Sequence, residues 1–275
     1  MNMALSLLRL KIYSLALAAL IIFFLLNGCT FLRGSKAALQ STDHFLVSLD
    51  DPRILYEPGA EHHAEIIASF LPEAIQKVEE KQYRSFSSPV QVYICSSRES
   101  FTKMFGSDVR AGVLAKLFLS PWVFEESEEV LNMYLMHELS HLLLLEQLGT
   151  YKMRRLPFWF KEGVATYVSE GGGAQKVSEE EAKRFILEGK YFVPNETGGL
   201  IFQNTPSDWD LKPQMFYRQS EIFIKYLLIV DEKAFKQMLL SAQEGENLSS
   251  ALENSYQKNL ETLWKGFLLE MINEG

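Results

Sequence analysis

The stretch EEVLNMYLMHELSHLLLLEQLG, from Glu128 to Gly149, constrains the fold more than any other part of the sequence. Apolar residues occur nearly all the way round its helical projection, which predicts one buried helix, and Gly149 is a natural end for it. His137 and His141 are four residues apart, so a helix places both imidazoles on one face, where they can bind a single ion. Glu138 lies on the flank of the same face. The stretch therefore predicts a metal site inside a buried helix.

The spacing H-E-x-x-H is that of zinc hydrolases, but so short a motif also arises by chance. The competing interpretation is a helical core in which the two histidines and the glutamate are simply hydrogen-bonded. An unpaired carboxylate buried among so many leucines would be unfavourable by on the order of several kcal/mol. A bound ion with its water removes that cost, so the predicted burial favours the metal site.

The composition is that of an ordinary globular protein, since 47% of the 275 residues are hydrophobic and 23% are charged. This length allows one sizeable core or two small ones. The formal net charge is −8, and residues 1–28 carry only Arg9 and Lys11, so the remainder is more acidic still. An acidic surface of this kind argues against nucleic-acid binding as the main activity.

The N-terminus has the features of an export signal. Arg9 and Lys11 lie before a mostly apolar run, Ile12 to Leu26, that contains no charge. The run leads into Leu26-Asn27-Gly28-Cys29, which resembles the lipobox of bacterial lipoproteins. The alternative is a single uncleaved membrane anchor, but about 15 apolar residues are few for a full span. We therefore predict a lipoprotein signal peptide over residues 1–28.

The lipobox resemblance implies that Cys29 becomes the lipidated first residue of the mature protein. Residues 29–43 are then expected to form a flexible tether between the lipid and the folded domain. Thr30 follows the cysteine, which in bacterial lipoproteins favours sorting to the outer membrane. The expected location is the bacterial cell envelope, with the chain attached to the outer membrane on its periplasmic face.

Between the tether and the metal helix, the apolar pattern predicts strands near residues 45–49, 89–95 and 111–119, and a helix over residues 61–83. The last strand comes shortly before the metal helix, so it is a candidate for the edge above the cleft. The unpaired backbone groups of an edge strand can bind an extended peptide. A covered strand with no role in substrate binding fits the sequence equally well.

Three reactive side chains in this region are interpreted as structural. Cys95 has no disulfide partner within the domain and is expected to pack in the core. His62 and His63 are adjacent, so on a helix they point about 100° apart and make a poor pair of ligands. Both are expected to be exposed and without function.

A catalytic zinc site needs a third protein ligand. The run from Leu156 to Tyr167 (LPFWFKEGVATY) predicts a second helix, with Pro157 in its first turn. Glu162 lies 21 residues beyond His141, which leaves room for a loop and an antiparallel return. Gly163 and Ala165 are small, so this helix can approach the first one closely and bring the Glu162 carboxylate to the ion.

At this point the chain resembles the gluzincin metallopeptidases, and in particular their small, bacterial, peptidase MA-like members. The matching segments are His137-Glu138-Leu139-Ser140-His141 and Phe158-Trp159-Phe160-Lys161-Glu162-Gly163-Val164-Ala165. The resemblance implies that His137, His141 and Glu162 bind Zn²⁺ and that Glu138 is the general base. It also implies an α+β fold over residues 44–275, with a small N-terminal mixed sheet and a helix followed by a zincin-type helical subdomain that carries the metal site.

One position departs from the pattern of some gluzincins, which carry an acidic residue four positions after the ligand glutamate to orient the first histidine. Here that position is Thr166. Groups behind the ligands fix ring orientation and tune affinity for the metal. Either Thr166 takes this role more weakly, or one of three acids substitutes: Asp208, Asp210 or Glu170.

The chemistry implied for such a site is peptide-bond hydrolysis by a zinc-activated water. Glu138 would accept the water proton and pass it to the leaving amine. The charge that develops on the carbonyl oxygen needs a further donor. Tyr217, on a helix predicted over Pro213 to Val230, is the candidate from its position and from the resemblance. Tyr167 is the second candidate, and a purely structural Tyr217 is the competing interpretation.

The segment from residue 171 to residue 212 lies between two helices that carry site residues. A connection of this length is a candidate for a rim or lid over the cleft, or for unstructured decoration. Three function hypotheses follow: a lipid-anchored zinc metallopeptidase acting on peptides or proteins, a catalytically silent relative that binds or assembles envelope proteins, and a zinc hydrolase of non-peptide amides. The intact Glu138 favours the enzymes.

Overall fold

The computed structural model describes residues 40–114, 116–199 and 203–274. The predicted signal peptide over residues 1–28, the lipidation site Cys29 and most of the tether lie outside the described residues. Within them the chain is mixed α/β, with a small sheet in the N-terminal part and helices over most of the remainder.

The sheet has five short strands in the order β1-β2-β3-β5-β4. The central pairs β2·β3 and β3·β5 are parallel, and the outer pairs β1·β2 and β5·β4 are antiparallel. The predicted small mixed sheet is therefore confirmed. The strands are β1 (Leu46–Val47), β2 (Ile54–Tyr56), β3 (Val92–Ile94), β4 (Ala111–Val113) and β5 (Leu117–Leu119).

The prediction of one strand over residues 111–119 is wrong in detail. The segment forms an antiparallel hairpin in which Ala111 pairs with Leu119 and Val113 with Leu117. The reversal carries no Gly, Pro, Asn or Asp, which are the residues that usually mark a turn. The predicted edge position is confirmed, because β4 is the outermost strand on that side of the sheet.

Nine helices occur in the described residues. The helix that carries the histidines begins at Ser127, whose side chain accepts a hydrogen bond from the backbone of Val130. The prediction that Gly149 ends this helix is wrong, because Gly149 interrupts it with a φ of 67° and the helix continues to Arg155. The helices are α1 (Glu61–Gln82), α2 (Arg98–Phe105), α3 (Glu128–Arg155), α4 (Phe158–Val168), α5 (Glu179–Leu187), α6 (Pro213–Val230), α7 (Glu232–Gln243), α8 (Leu248–Tyr256) and α9 (Leu260–Glu274).

Several described residues of the segment between α4 and α6 pack into the core, so unstructured decoration is not the role of that part. Phe192 is fully buried, with its ring 4.9 Å from that of Phe216 and 5.1 Å from that of Trp264. The indole of Trp159 donates to the backbone carbonyl of Asn195 over 2.8 Å. In the part of the chain that the structure describes, no helix combines the length and the apolar character needed to cross a bilayer.

Helix α4 lies against α6 at unusually short range because residue 163 has no side chain. A Cβ at Gly163 would lie 2.9 Å from the carbonyl oxygen of Ser220. The close approach brings one face of α4 onto α6, while the ligand glutamate faces α3. The small residue was predicted to allow close approach to α3, and that prediction is wrong for Gly163, whose open side faces Ser220 and Ile224 of α6.

Gly163→Ala is expected to destabilise the protein, although alanine is the better helix former. Overpacking against backbone costs about 1–3 kcal/mol, whereas the gain in helix propensity is about 1 kcal/mol. Thermal unfolding followed by circular dichroism measures the difference. An equal or higher melting temperature would show that the two helices tolerate a methyl group between them.

Candidate metal centre

The two predicted histidine ligands project from adjacent turns of α3 and converge through the same ring nitrogen. Nε2 of His137 and Nε2 of His141 are 3.2 Å apart, and the rings are nearly perpendicular, at 84°. Helix α4 brings in Glu162, whose Oε2 lies 3.4 Å from Nε2 of His137 and 3.6 Å from Nε2 of His141. The structure thus brings all three predicted metal ligands together.

The spacing of these atoms fits one small cation. Three atoms separated by 3.2, 3.4 and 3.6 Å lie on a circle of radius about 2.0 Å. Zinc binds histidine nitrogen and carboxylate oxygen at about 2.0–2.2 Å, so these three atoms could hold one such ion. Two nitrogens and one carboxylate oxygen are also the donor types of catalytic zinc sites. The residues therefore fit a metal ion.

Burial and charge favour ligation further. His137 is 4% exposed and Glu162 is 8% exposed. Burial by itself raises the pKa of Glu162, but the two histidines outweigh it and hold that pKa well below its usual range. Glu162 is therefore a carboxylate, the form that binds a cation.

Glu138 lies beside the three ligands and faces a cleft. The cleft has a volume of about 340 Å³ and is lined by Glu138, His141, Glu162 and, from the edge strand side, Val113 and Leu114. Loss of solvent raises the pKa of the Glu138 carboxyl to about 7, with His137 opposing the shift and Glu162 adding to it. A divalent cation nearby would favour the charged form. The side chain is placed to exchange a proton with a molecule in the cleft.

The ring of Tyr217, on α6, lies beside that of His137, at a distance of 6.1 Å between ring centroids. The charge of Glu162, then burial, then the charge of Glu138 raise the pKa of the Tyr217 hydroxyl, so it keeps its proton. Tyr167, the second candidate, points elsewhere. Its ring is packed against Phe235 and lies under the ammonium group of Lys81.

None of the three acids considered as substitutes for an orienting carboxylate contacts His137. Glu170 pairs with Lys81, Asp208 binds Thr205, and Asp210 is exposed at the end of a short 3₁₀ turn. Thr166 is fully buried, and its hydroxyl has no hydrogen-bond partner among the described residues. Nδ1 of His137 itself has no hydrogen-bond partner in the described part of the chain, so the orienting acid of some gluzincins has no counterpart there.

The ring of His137 is held by packing instead. A Cβ at Gly173 would lie 3.1 Å from Cε1 and 3.4 Å from Nδ1 of His137, and the φ of this residue is 81°, so both space and backbone favour glycine where the loop after α4 meets the ring. Arg218 fixes the same loop, since it donates to the backbone carbonyls of Val177, at 2.8 Å, and of Ala174, at 3.3 Å. The glycines of this loop were visible in the sequence, but nothing there linked them to His137.

A second contact that positions the histidine helix was also not predicted from the sequence. Ser140 lies between the two histidines in sequence and is fully buried. The side-chain amide of Gln82 donates to Oγ of Ser140 over 2.6 Å, and that of Gln243 donates to the backbone of Gln82 over 3.1 Å. This chain of bonds fixes α3 against α1 and α7.

The residues interpreted as structural remain outside the centre. Cys95 is a free, buried thiol packed near Phe101 and Phe118, and burial raises its pKa to about 12. His62 is exposed, as predicted. His63 differs, because it is partly buried and stacks on Phe124 with 3.9 Å between ring centroids.

Comparison with known proteins yields no match to any family model and no significantly similar curated protein. The interpretation of this centre accordingly depends on its own geometry.

Proposed function

We propose that this chain is a zinc-dependent peptidase of the gluzincin type. The observation that carries the proposal is the triangle of Nε2 of His137, Nε2 of His141 and Oε2 of Glu162, with sides of 3.2 to 3.6 Å, beside the carboxyl group of Glu138. When bound there, a zinc ion supplies a Lewis acid and lowers the pKa of a coordinated water.

Each side chain around the triangle has a separate role in the reaction. Glu138 accepts the proton of the attacking water and later delivers it to the leaving amine, which requires a carboxyl group that exchanges protons readily near neutral pH. Tyr217 keeps its proton and donates a hydrogen bond to the carbonyl oxygen as negative charge develops on it. Glu162, with its lowered pKa, remains an anion throughout.

A peptide is the preferred substrate because of the strand above the cleft. Strand β4 pairs with β5 along one side only, and no other described strand pairs with its outer side. Val113 at its end and the adjacent Leu114 line the cleft together with Glu138. An extended peptide can add to this edge through main-chain hydrogen bonds, which small non-peptide amides cannot do.

We also propose the anchoring described for the N-terminus, with lipid on Cys29 and the domain facing the periplasm of a bacterial envelope. Its support is the sequence of residues 1–30 alone. A tethered peptidase would act on peptides or proteins at the membrane surface and has no need of nucleic acid.

Metal analysis of the purified protein tests the ligand assignment. About one zinc per chain is expected, and His137→Ala, His141→Ala and Glu162→Ala are each expected to lower the metal content severely, since a site with two protein ligands holds zinc far more weakly. Peptide hydrolysis should disappear on chelation and return with added zinc. Near-zero metal in the wild-type protein, or unchanged metal in the three variants, would contradict the proposal.

A further inference from the structure

One buried cation in the cleft has no role in the chemistry above. Lys161 precedes the ligand Glu162 on α4 and is only 9% exposed, yet it lines the same cavity as Glu138 and His141. Its Nζ donates to the side-chain carbonyl of Gln203 over 3.2 Å and forms no salt bridge with a carboxylate in the described part of the chain. Burial lowers the pKa of Lys161, and the charge of the adjacent Glu162 opposes this shift without reversing it. A buried ammonium normally has an ionic partner, because burial of an uncompensated charge is unfavourable.

A second cation lines the same cavity. Arg154, near the end of α3, is exposed, and its guanidinium forms no ion pair with any described residue. Gln203 connects the two residues, since its side-chain amide donates to the backbone carbonyl of Arg154 over 2.6 Å. The chain has a net charge of −8, so carboxylates are plentiful. Two cations without a salt bridge in one cleft therefore suggest that the cleft binds an anion.

The occupied centre would make this end of the cleft more positive. A divalent ion brings two positive charges, and among its three ligands only Glu162 is an anion. Glu138 is the one other acid that lines this cavity, against Lys161 and Arg154. The local field therefore favours an anionic group on the substrate, in contrast to the acidic surface of the whole chain.

We propose that Lys161 and Arg154 form a carboxylate-binding subsite beside the metal centre. The substrate is then a peptide that carries a carboxylate close to the bond that is cleaved. The guanidinium of Arg154 can bind both oxygens of such a group, and the ammonium of Lys161 supplies a point charge. This inference rests on the proposed peptidase function and adds the substrate class to it.

Two sources of this carboxylate exist, an acidic side chain and the C-terminus of the peptide. The cleft shares Leu114, Leu145 and Thr150 with a neighbouring cavity of about 340 Å³ that is also lined by Pro89 and Lys116. A chain longer than the subsite can therefore extend beyond it, which favours an internal Asp or Glu.

The test uses the full-length, zinc-loaded protein in detergent and a mixture of synthetic peptides that carries every residue type at each position. Half of the mixture has free C-termini and half has amidated ones, and mass spectrometry identifies the cleaved bonds. We expect Asp and Glu to be enriched at one fixed position from the cleaved bond, in both halves. Enrichment confined to the free C-termini would assign the subsite to the terminal carboxylate.

Matched peptides with Glu or Gln at that position then measure the role of Lys161. The ratio of their kcat/KM values is expected to fall at least about tenfold in Lys161→Met, as for loss of a hydrogen bond to a charged group. Lys161→Glu is expected to favour Lys or Arg at the same position. Lys258→Met, on the exposed surface, is the control and should keep the wild-type ratio.

Equal kcat/KM values of the wild-type protein for the two matched peptides would contradict the proposed subsite. If no peptide is cleaved at all, calorimetric binding of a Glu and a Gln peptide to the zinc-loaded protein decides the matter separately. Tighter binding of the Glu peptide by the wild type but not by Lys161→Met would leave the subsite standing and remove only the proposed hydrolysis. Equal binding, or none, would overturn the subsite.

Discussion

Glu138→Gln is expected to abolish peptide hydrolysis while the metal stays bound. Glutamine has nearly the same shape as glutamate but cannot accept the proton of the attacking water. General-base catalysis contributes about 10²- to 10⁴-fold to rate, so a loss of this size in kcat is expected. Metal content should remain that of the wild type, because Glu138 is not among the three converging ligand atoms.

Parallel assays of initial rate and of zinc per chain separate this outcome from loss of structure. Glu129→Gln is the matched control, since Glu129 is an exposed glutamate in the first turn of the same helix and does not line the cleft. Glu162→Gln should lose metal as well as activity. Wild-type turnover in Glu138→Gln would contradict the assignment of Glu138 as the general base. If the chain were instead a silent binding protein, Glu138→Gln would have no effect in the cell.

The ligand set could be predicted from the sequence because its geometry is mostly local. The four-residue spacing of His137 and His141 fixes their relative position on any α-helix, whatever the rest of the fold does. Predicting Glu162 required one further assumption, that the next helix returns alongside α3; Gly163, which suggested this return, packs against α6 instead. Helix α6 was also predicted with its observed bounds, since Pro213 marks its start and its apolar periodicity is regular.

The surroundings of these ligands could not be predicted because they depend on contacts between distant segments. The reversal between β4 and β5 has no turn residue, so the hairpin looked like one strand. The loop at Gly173 contacts His137 from 36 residues away, and Gln82 contacts Ser140 from 58 residues away. The location of Lys161 in the cleft likewise depends on how α3 packs against α4, and a local sequence pattern does not predict this packing.

Breaking the buried ion pair between Arg218 and Glu221 is expected to be the most destabilising single change outside the metal ligands. Nη1 of Arg218 lies 2.5 Å from Oε2 of Glu221, whose side chain is fully buried, and Nζ of Lys225 lies 3.0 Å from its other oxygen. Removal of one partner from a buried pair costs about 3–5 kcal/mol, because the other charge is left uncompensated. For a domain of this size, the melting temperature should fall by about 10 °C.

The same change should weaken the metal centre, since Arg218 also holds the loop that contacts His137. We therefore expect Glu221→Gln to lower both the melting temperature of the metal-free protein and its affinity for zinc, measured by competition with a chelator. The double variant Arg218→Met, Glu221→Leu replaces both charges with apolar groups and should recover much of the stability. Because it still lacks the two hydrogen bonds to the loop carbonyls, it should not recover the zinc affinity. Recovery of both the melting temperature and the zinc affinity in the double variant would show that the loop does not need the hydrogen bonds of Arg218. An unchanged melting temperature in Glu221→Gln would show that the ion pair between Arg218 and Glu221 does not stabilise the fold.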